Sequence, residues 1–267
     1  MIASIEKLIR SAGFTKTPLQ TMRMSLTEAE AAAIEASTTQ YRVGDIFLIC
    51  DVSTCALFQT RSSTDYGQAG GGTTDVNVLK VKSTEQKIEL EPLDHVEGVP
   101  IGSTLIDFRM AQHIVGRLEL IKDHLDPDHL KGDPFALAEE MLMGIFQTIK
   151  HSFPNPVVDT FKLDVKGLAG THNFPDAGIE KSKMIIDRQV LTEIFDQQIE
   201  QIFHLIDHRL LALQAEFPNE QVSHIILSGG LGSSPYLLDE IKRRYEMNFG
   251  FRSANTASIR IMKVPEP

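Results

Sequence analysis

The chain has 267 residues, 42% of them hydrophobic and 23% charged, with a formal net charge of −10. That length can bury a sizeable core, and the negative balance excludes a nucleic-acid surface, which needs clustered Lys and Arg. No apolar run approaches the roughly 20 residues that cross a bilayer, the first residues lack a signal-peptide apolar region, and Cys50 and Cys55 are too few for a disulfide framework. A cytoplasmic protein without nucleic-acid or membrane partners is expected.

In chain order, residues 1–13 place Ile2, Ile5, Leu8 and Ile9 on one helical face, and Met22–Leu26 reads as a short strand. Thr27 caps a helix that runs to about Ala36, with Glu30 completing a capping box. Ile46–Cys50 is an unbroken apolar run, the pattern of a buried strand. Val76–Val81 and Lys87–Leu90 alternate and predict strands. Leu105–Ile121 predicts an amphipathic helix, and Pro134–Phe153 a second one, closed by Pro154. Val158–Leu163 and Met184–Ile186 are strand candidates. Arg188–Gln214 is the strongest helix, with Leu191, Phe195, Ile199, Ile202, Ile206, Leu210 and Leu213 at spacings of three and four. Val222–Leu227 predicts a buried strand, Ser228–Ser234 a glycine loop, and Pro235–Tyr245 a helix. Alternating strands and helices without an internal repeat make the class α/β.

Two glycine segments carry the chemistry. In Ala69-Gly70-Gly71-Gly72-Thr73-Thr74-Asp75, three glycines let backbone N–H groups approach a phosphate closely. The hydroxyl of Thr73 and the carboxylate of Asp75 that follow are the donor types of a nucleotide–metal site. The second segment, Ser228-Gly229-Gly230-Leu231-Gly232-Ser233-Ser234, lies between a strand and a helix, a setting that suits phosphate. It departs from the dinucleotide fingerprint, because Pro235 stands where the last glycine belongs, so an oxidoreductase is a weak alternative. The histidines have no metal spacing; His204 and His208 lie four apart without the Glu of H-E-x-x-H and read as surface residues.

The order of these motifs resembles the nucleotide-binding domain of the heat shock protein 70 family, in the actin-like ATPase superfamily, and most of all its divergent fungal members. The elements that carry the resemblance are Thr27–Ala33, Cys50-Asp51, Gly70–Asp75, Gly102-Ser103-Thr104 before Asp107-Phe108-Arg109, Lys150-His151, and Ser228–Pro235. It implies an actin-like (ribonuclease H-like) α/β fold with a partial first lobe over 1–75, a second lobe over 76–250 and a truncated end over 251–267. It implies phosphate contacts from Gly70, Gly71, Gly72 and Thr73, a magnesium ion near Asp51 and Asp75, and catalytic roles for Glu28 and Asp75. Lys150 would pack on adenine and ribose, with Gly229, Gly230 and Ser233 as the adenosine loop. Gln147 and His151 depart from that family's glutamate and arginine. ATP or ADP with Mg2+ is the implied ligand, and phosphoryl transfer to water the implied chemistry. The family's first phosphate hairpin has no counterpart, so hydrolysis is expected to be weak or absent. The alternative is a non-catalytic pseudo-ATPase that binds protein partners.

Val52–Gln68 interrupts this pattern. Deleting these 17 residues (68 − 52 + 1) joins Asp51 to Ala69 and restores a continuous motif. Every valine codon begins with GT and glutamine can be CAG, the usual ends of an intron. The stretch is therefore expected to be either a retained, in-frame intron or a genuine loop insertion, in both cases an exposed excursion between strand and hairpin.

Overall fold

The computed structural model describes residues 11, 28–36, 41–53, 72–85, 88–94, 96–126, 133–155, 158–168, 170–247 and 255–264. The elements expected over 1–13 and 22–26 lie outside the described residues, apart from Ser11. The architecture is mixed α/β, built on a mixed sheet.

The central strand β1 spans Ile46–Val52 and β2 spans Thr74–Ser83. These two pair antiparallel, with Phe47 opposite Leu79 and Asp51 opposite Asp75. On the other side of β1 lies β8, His224–Ser228, in parallel register, with Asp51 beside Ser228. Strand β9, Arg260–Lys263, continues the parallel set beyond β8. Strand β3, Glu89–Pro92, and the short β4, Glu97–Val99, both pair with β2, so the order is β3-β2-β1-β8-β9 with β4 off the path. A separate three-stranded sheet has the order β5 (Thr160–Asp164), β7 (Lys183–Asp187), β6 (Ile179–Glu180).

The apolar run of β1 exists because both faces of the sheet are covered. Side chains alternate between faces along a strand. Leu48, Cys50, Val52, Val76, Val78, Ile225 and Leu227 join the larger core. Phe47, Ile49, Leu79, Val81 and Ile226 join a smaller one with Ala32 and Ala33 of helix α1, Glu28–Glu35, and with Ala36 just after it. The same alternation puts Asp51 and Asp75 on the α1 face.

The larger core is closed by α2 (Thr104–Leu118), α3 (Pro134–Leu142), α4 (Ile145–Ser152), α5 (Arg188–Glu216) and α6 (Pro235–Ile241). Leu191, Phe195, Ile199, Ile202 and Ile206 of α5 are all buried, as their spacing requires.

Three expectations change, and the expected lobe boundary at 75/76 meets a continuous strand. The helix expected over Pro134–Phe153 is two helices, α3 and α4. Between them Gly144 has φ +94° and ψ −116°, a conformation that breaks the helix and favours glycine. The helix expected over Pro235–Tyr245 changes to a wider π-type winding over Lys242–Met247. The boundary at 75/76 falls inside β2, and strands from both sides of it share one sheet. The stretch 52–68 does not start as an excursion: Val52 is fully buried, ends β1 and pairs with Thr74, and Ser53 N–H donates to the Thr73 carbonyl at 3.1 Å. Residues 54–68 lie outside the described residues.

Candidate functional site

The carboxyl ends of β1 and β8 are the place where an open α/β sheet offers a ligand crevice, because chain connections diverge to either side there. Three groups meet at this edge: the two aspartates, the glycine loop, and one face of α4.

Asp51 and Asp75 are direct cross-strand partners. Such partners have Cβ atoms about 4.5–5.5 Å apart, and like charges so placed repel. Burial pushes the Asp75 carboxyl above its ordinary range, the charge on Asp51 adds to that, and a hydrogen bond from Thr73 opposes it. Ser228, the neighbour of Asp51 in the parallel ladder, has a buried hydroxyl oxygen without a hydrogen-bond partner. The Asp51 and Asp75 carboxylates, the Thr73 hydroxyl and the Ser228 hydroxyl lie along this edge, with Asp51 Oδ1 against Gly229 and Asp75 Oδ1 against Gly98. They are donor types that Mg2+ takes, one or two carboxylates with water and phosphate completing its shell. No group of three or more His, Cys, Asp or Glu side chains gathers among the described residues, so such an ion would draw its remaining ligands from those sources.

The glycine loop leaves β8 by a sharp turn. Gly229 has φ +78°, and a Cβ there would collide with the Val52 carbonyl and with Asp51 Oδ1. Glycine is therefore what lets the loop lie against the Asp51 carboxylate. The Leu231 and Gly232 N–H groups donate to the Val52 carbonyl at 3.1 and 3.4 Å, Ser233 N–H to Gly229 at 3.1 Å, and Ser234 N–H to Leu231 at 2.9 Å. Four loop donors are thus engaged within the protein, and Gly230 is left exposed at the tip. Lys263 Nζ donates to the Ser233 carbonyl at 3.3 Å, tying the loop to β9.

Across from the loop, Gln147, Thr148, His151 and Ser152 of α4 form the other wall of a cleft of about 570 Å³, with Gly230 and Ser233 opposite. That volume is within the usual range for small-molecule sites. The spacing i, i+1, i+4, i+5 is one helical face.

Lys150 lies on a different face, and its expected role in packing on a base is corrected. It is buried with Phe146, and its Nζ stands 2.8 Å from both oxygens of the equally buried Asp107. A buried ammonium needs such a partner, and Asp107 satisfies it from α2. Gln147 Nε2 also donates to Asp107 Oδ1 at 3.1 Å and to the Leu142 carbonyl at 3.3 Å. The α4 segment and the loop do converge, although 80 residues separate Lys150 from Gly230 (230 − 150). The residues that line the cleft are the neighbours of Lys150. A buried acid on α2 and a helical face shared by Phe146 and Lys150 are the signals that could have assigned Lys150 to the interior.

Of the other expected site residues, Gly72 and Thr73 are described at the base of the β1–β2 connection, and Thr73 N–H donates to Ser53 Oγ at 3.3 Å. Gly70 and Gly71 lie outside the described residues. Glu28 begins α1, and only its backbone is described. The three-stranded sheet and the exposed His204 and His208 take no part in the cleft. No helix among the described residues is long and apolar enough to cross a membrane.

No curated protein matches the chain. A family model described as a domain of unknown function, DUF8340, matches residues 64–251. This overturns the assignment to the heat shock protein 70 family and the actin-like ATPase superfamily, which rested on short glycine and aspartate motifs that unrelated phosphate-binding folds share. The match begins at Thr64, within the stretch expected to be an insertion, and takes in both the Thr73–Asp75 segment and the glycine loop. Most of the chain is covered, and the protein therefore belongs to the DUF8340 family.

Proposed function

We propose that the protein binds an adenine nucleotide, ATP or ADP with Mg2+, over the carboxyl edge of the sheet, and turns ATP over slowly or not at all. The observation that carries this reading is the arrangement around Gly229. On one side its backbone abuts the Asp51 carboxylate, which faces Asp75; on the other, Gly230 opens onto the cleft walled by α4. A metal and phosphate beside acids, and a base in a neutral polar cleft, match the two chemistries found on either side of that turn. The antiparallel β1–β2 pair beside parallel β8 and β9 also supports a ribonuclease H-like α/β architecture.

Bound Mg2+ would relieve the repulsion between the two aspartates and neutralise charge on the phosphates. Thr73 holds the Asp75 carboxylate, Gly229 permits the close approach of loop and Asp51, and Lys263 fixes the loop from beneath. Slow turnover is supported by the loop donors among the described residues. Leu231, Gly232, Ser233 and Ser234 spend their N–H groups inside the protein, and a missing preorganised donor typically costs about 10²–10³ in rate.

A second reading, a non-catalytic module that acts by binding a protein partner, draws on the exposed Phe108, Met143 and Ile145 on and between the helices. Titration of the purified chain with ATP, with and without Mg2+, together with steady-state phosphate release, separates the two. Saturable, Mg2+-strengthened binding with little phosphate release supports the first. Absence of binding in both conditions leaves the second.

A further inference from the structure

We propose that Gln147 determines base specificity in this cleft by presenting its amide oxygen as a fixed hydrogen-bond acceptor, selecting a base that carries an amino group. This rests on the nucleotide-binding reading.

An amide has two N–H donors and one carbonyl acceptor, and its orientation is settled by its neighbours. Both neighbours of the Gln147 nitrogen are acceptors: Asp107 Oδ1 at 3.1 Å and the Leu142 carbonyl at 3.3 Å. The flipped amide would set oxygen against two oxygens. The two hydrogens are therefore committed beneath the cleft, and Oε1 is the group left for a ligand. Asp107 cannot release the amide easily, because Lys150 holds its carboxylate through both oxygens in a site where both side chains are almost fully buried. Ser152 adds to the same bias. Its hydroxyl hydrogen turns back to the Thr148 and Ile149 carbonyls, at 2.9 and 3.4 Å, which leaves only lone pairs outward. The α4 wall thus offers acceptors at Gln147 and Ser152, and a base that presents N–H meets them. A base without that hydrogen leaves Oε1 desolvated and unpaired, a penalty of the order of a lost hydrogen bond.

The test uses the full chain and three Mg2+-nucleotides: ATP, purine riboside triphosphate (ATP without its amino group), and 2′-deoxy-ATP. The expected result is ATP binding about fivefold or more tighter than purine riboside triphosphate, the loss of one hydrogen bond. In Gln147→Met and Gln147→Ala the ratio falls to about one, and either variant suffices if the other does not fold. Equal affinity of the wild-type chain for ATP and purine riboside triphosphate overturns the proposal while leaving nucleotide binding intact. A preference that survives in the folded Gln147 variants overturns it too. Loss of affinity confined to 2′-deoxy-ATP moves the acceptor to the ribose and also overturns it. If no nucleotide binds, both this inference and the reading beneath it fail.

Discussion

Asp51 and Asp75 face each other directly across β1 and β2, and the Asp75 carboxyl is pushed above its ordinary range by burial first and by the Asp51 charge second, against a hydrogen bond from Thr73. An acid whose folded-state pKa is raised favours the fold while it is protonated and loses that contribution as pH rises through the folded pKa. Ionisation of Asp75 beside Asp51 therefore works against the sheet edge as pH rises through that raised pKa. Asp75→Asn is expected to raise the melting temperature at neutral pH, and the gain should shrink as pH falls through the carboxylate range. Mg2+ should raise the melting temperature of the wild-type chain and leave that of Asp75→Asn nearly unmoved. A variant less stable than wild type at neutral pH would show that the pair is not in repulsion.

Gly229→Ala tests the turn. Its φ of +78° and the proximity of the Val52 carbonyl and Asp51 Oδ1 combine conformational strain with a collision. Strained backbone of this kind costs about 1–3 kcal/mol, so chemical denaturation should show at least that loss. Gly144→Ala is the control. It shares a positive φ, +94°, but an added Cβ meets nothing within 4 Å. It should destabilise less and leave nucleotide affinity nearly unchanged.

Lys150→Met strips the counter-charge from a buried carboxylate. Breaking one side of such a pair typically costs about 3–5 kcal/mol. The double variant Asp107→Leu/Lys150→Met should recover much of the loss, because neither charge is then left unpaired. Urea midpoints of the three proteins check this, and a double variant no more stable than Lys150→Met would contradict it.

The elements legible in the sequence are those whose pattern is local and strong. Ile46–Cys50 reads as a doubly covered strand because five apolar residues in a row leave no polar face, and α5 reads as a helix because seven apolar residues hold its period. Strand order is not local: the pairing of β1 with β8 joins residues some 177 apart, as in the bond from Ile46 N–H to Ser223 Oγ, and no periodicity encodes it. Strand β4 has only three residues and β9 only four, of which Ile261 alone is fully turned into the core, too short a pattern to predict either. The break at Gly144 was legible as a glycine, but the apolar and helix-favouring residues around it masked it.

At the site, the glycine loop was legible as a local pattern; its nearness to α4 was expected only from the resemblance that the DUF8340 match overturns, and no local pattern encodes it. The identity of the lining side chains was not legible either. Lys150 and His151 are adjacent, and which of them turns inward depends on Asp107, a residue 43 positions away on another helix.

Isothermal titration of the full chain with ATP in the presence of Mg2+ tests the central claim most directly. The account predicts saturable binding of one nucleotide per chain, weakened at least tenfold by removal of Mg2+ or by Gly229→Ala in its folded state. Absence of saturable binding up to millimolar ATP, or binding indifferent to both changes, would contradict it.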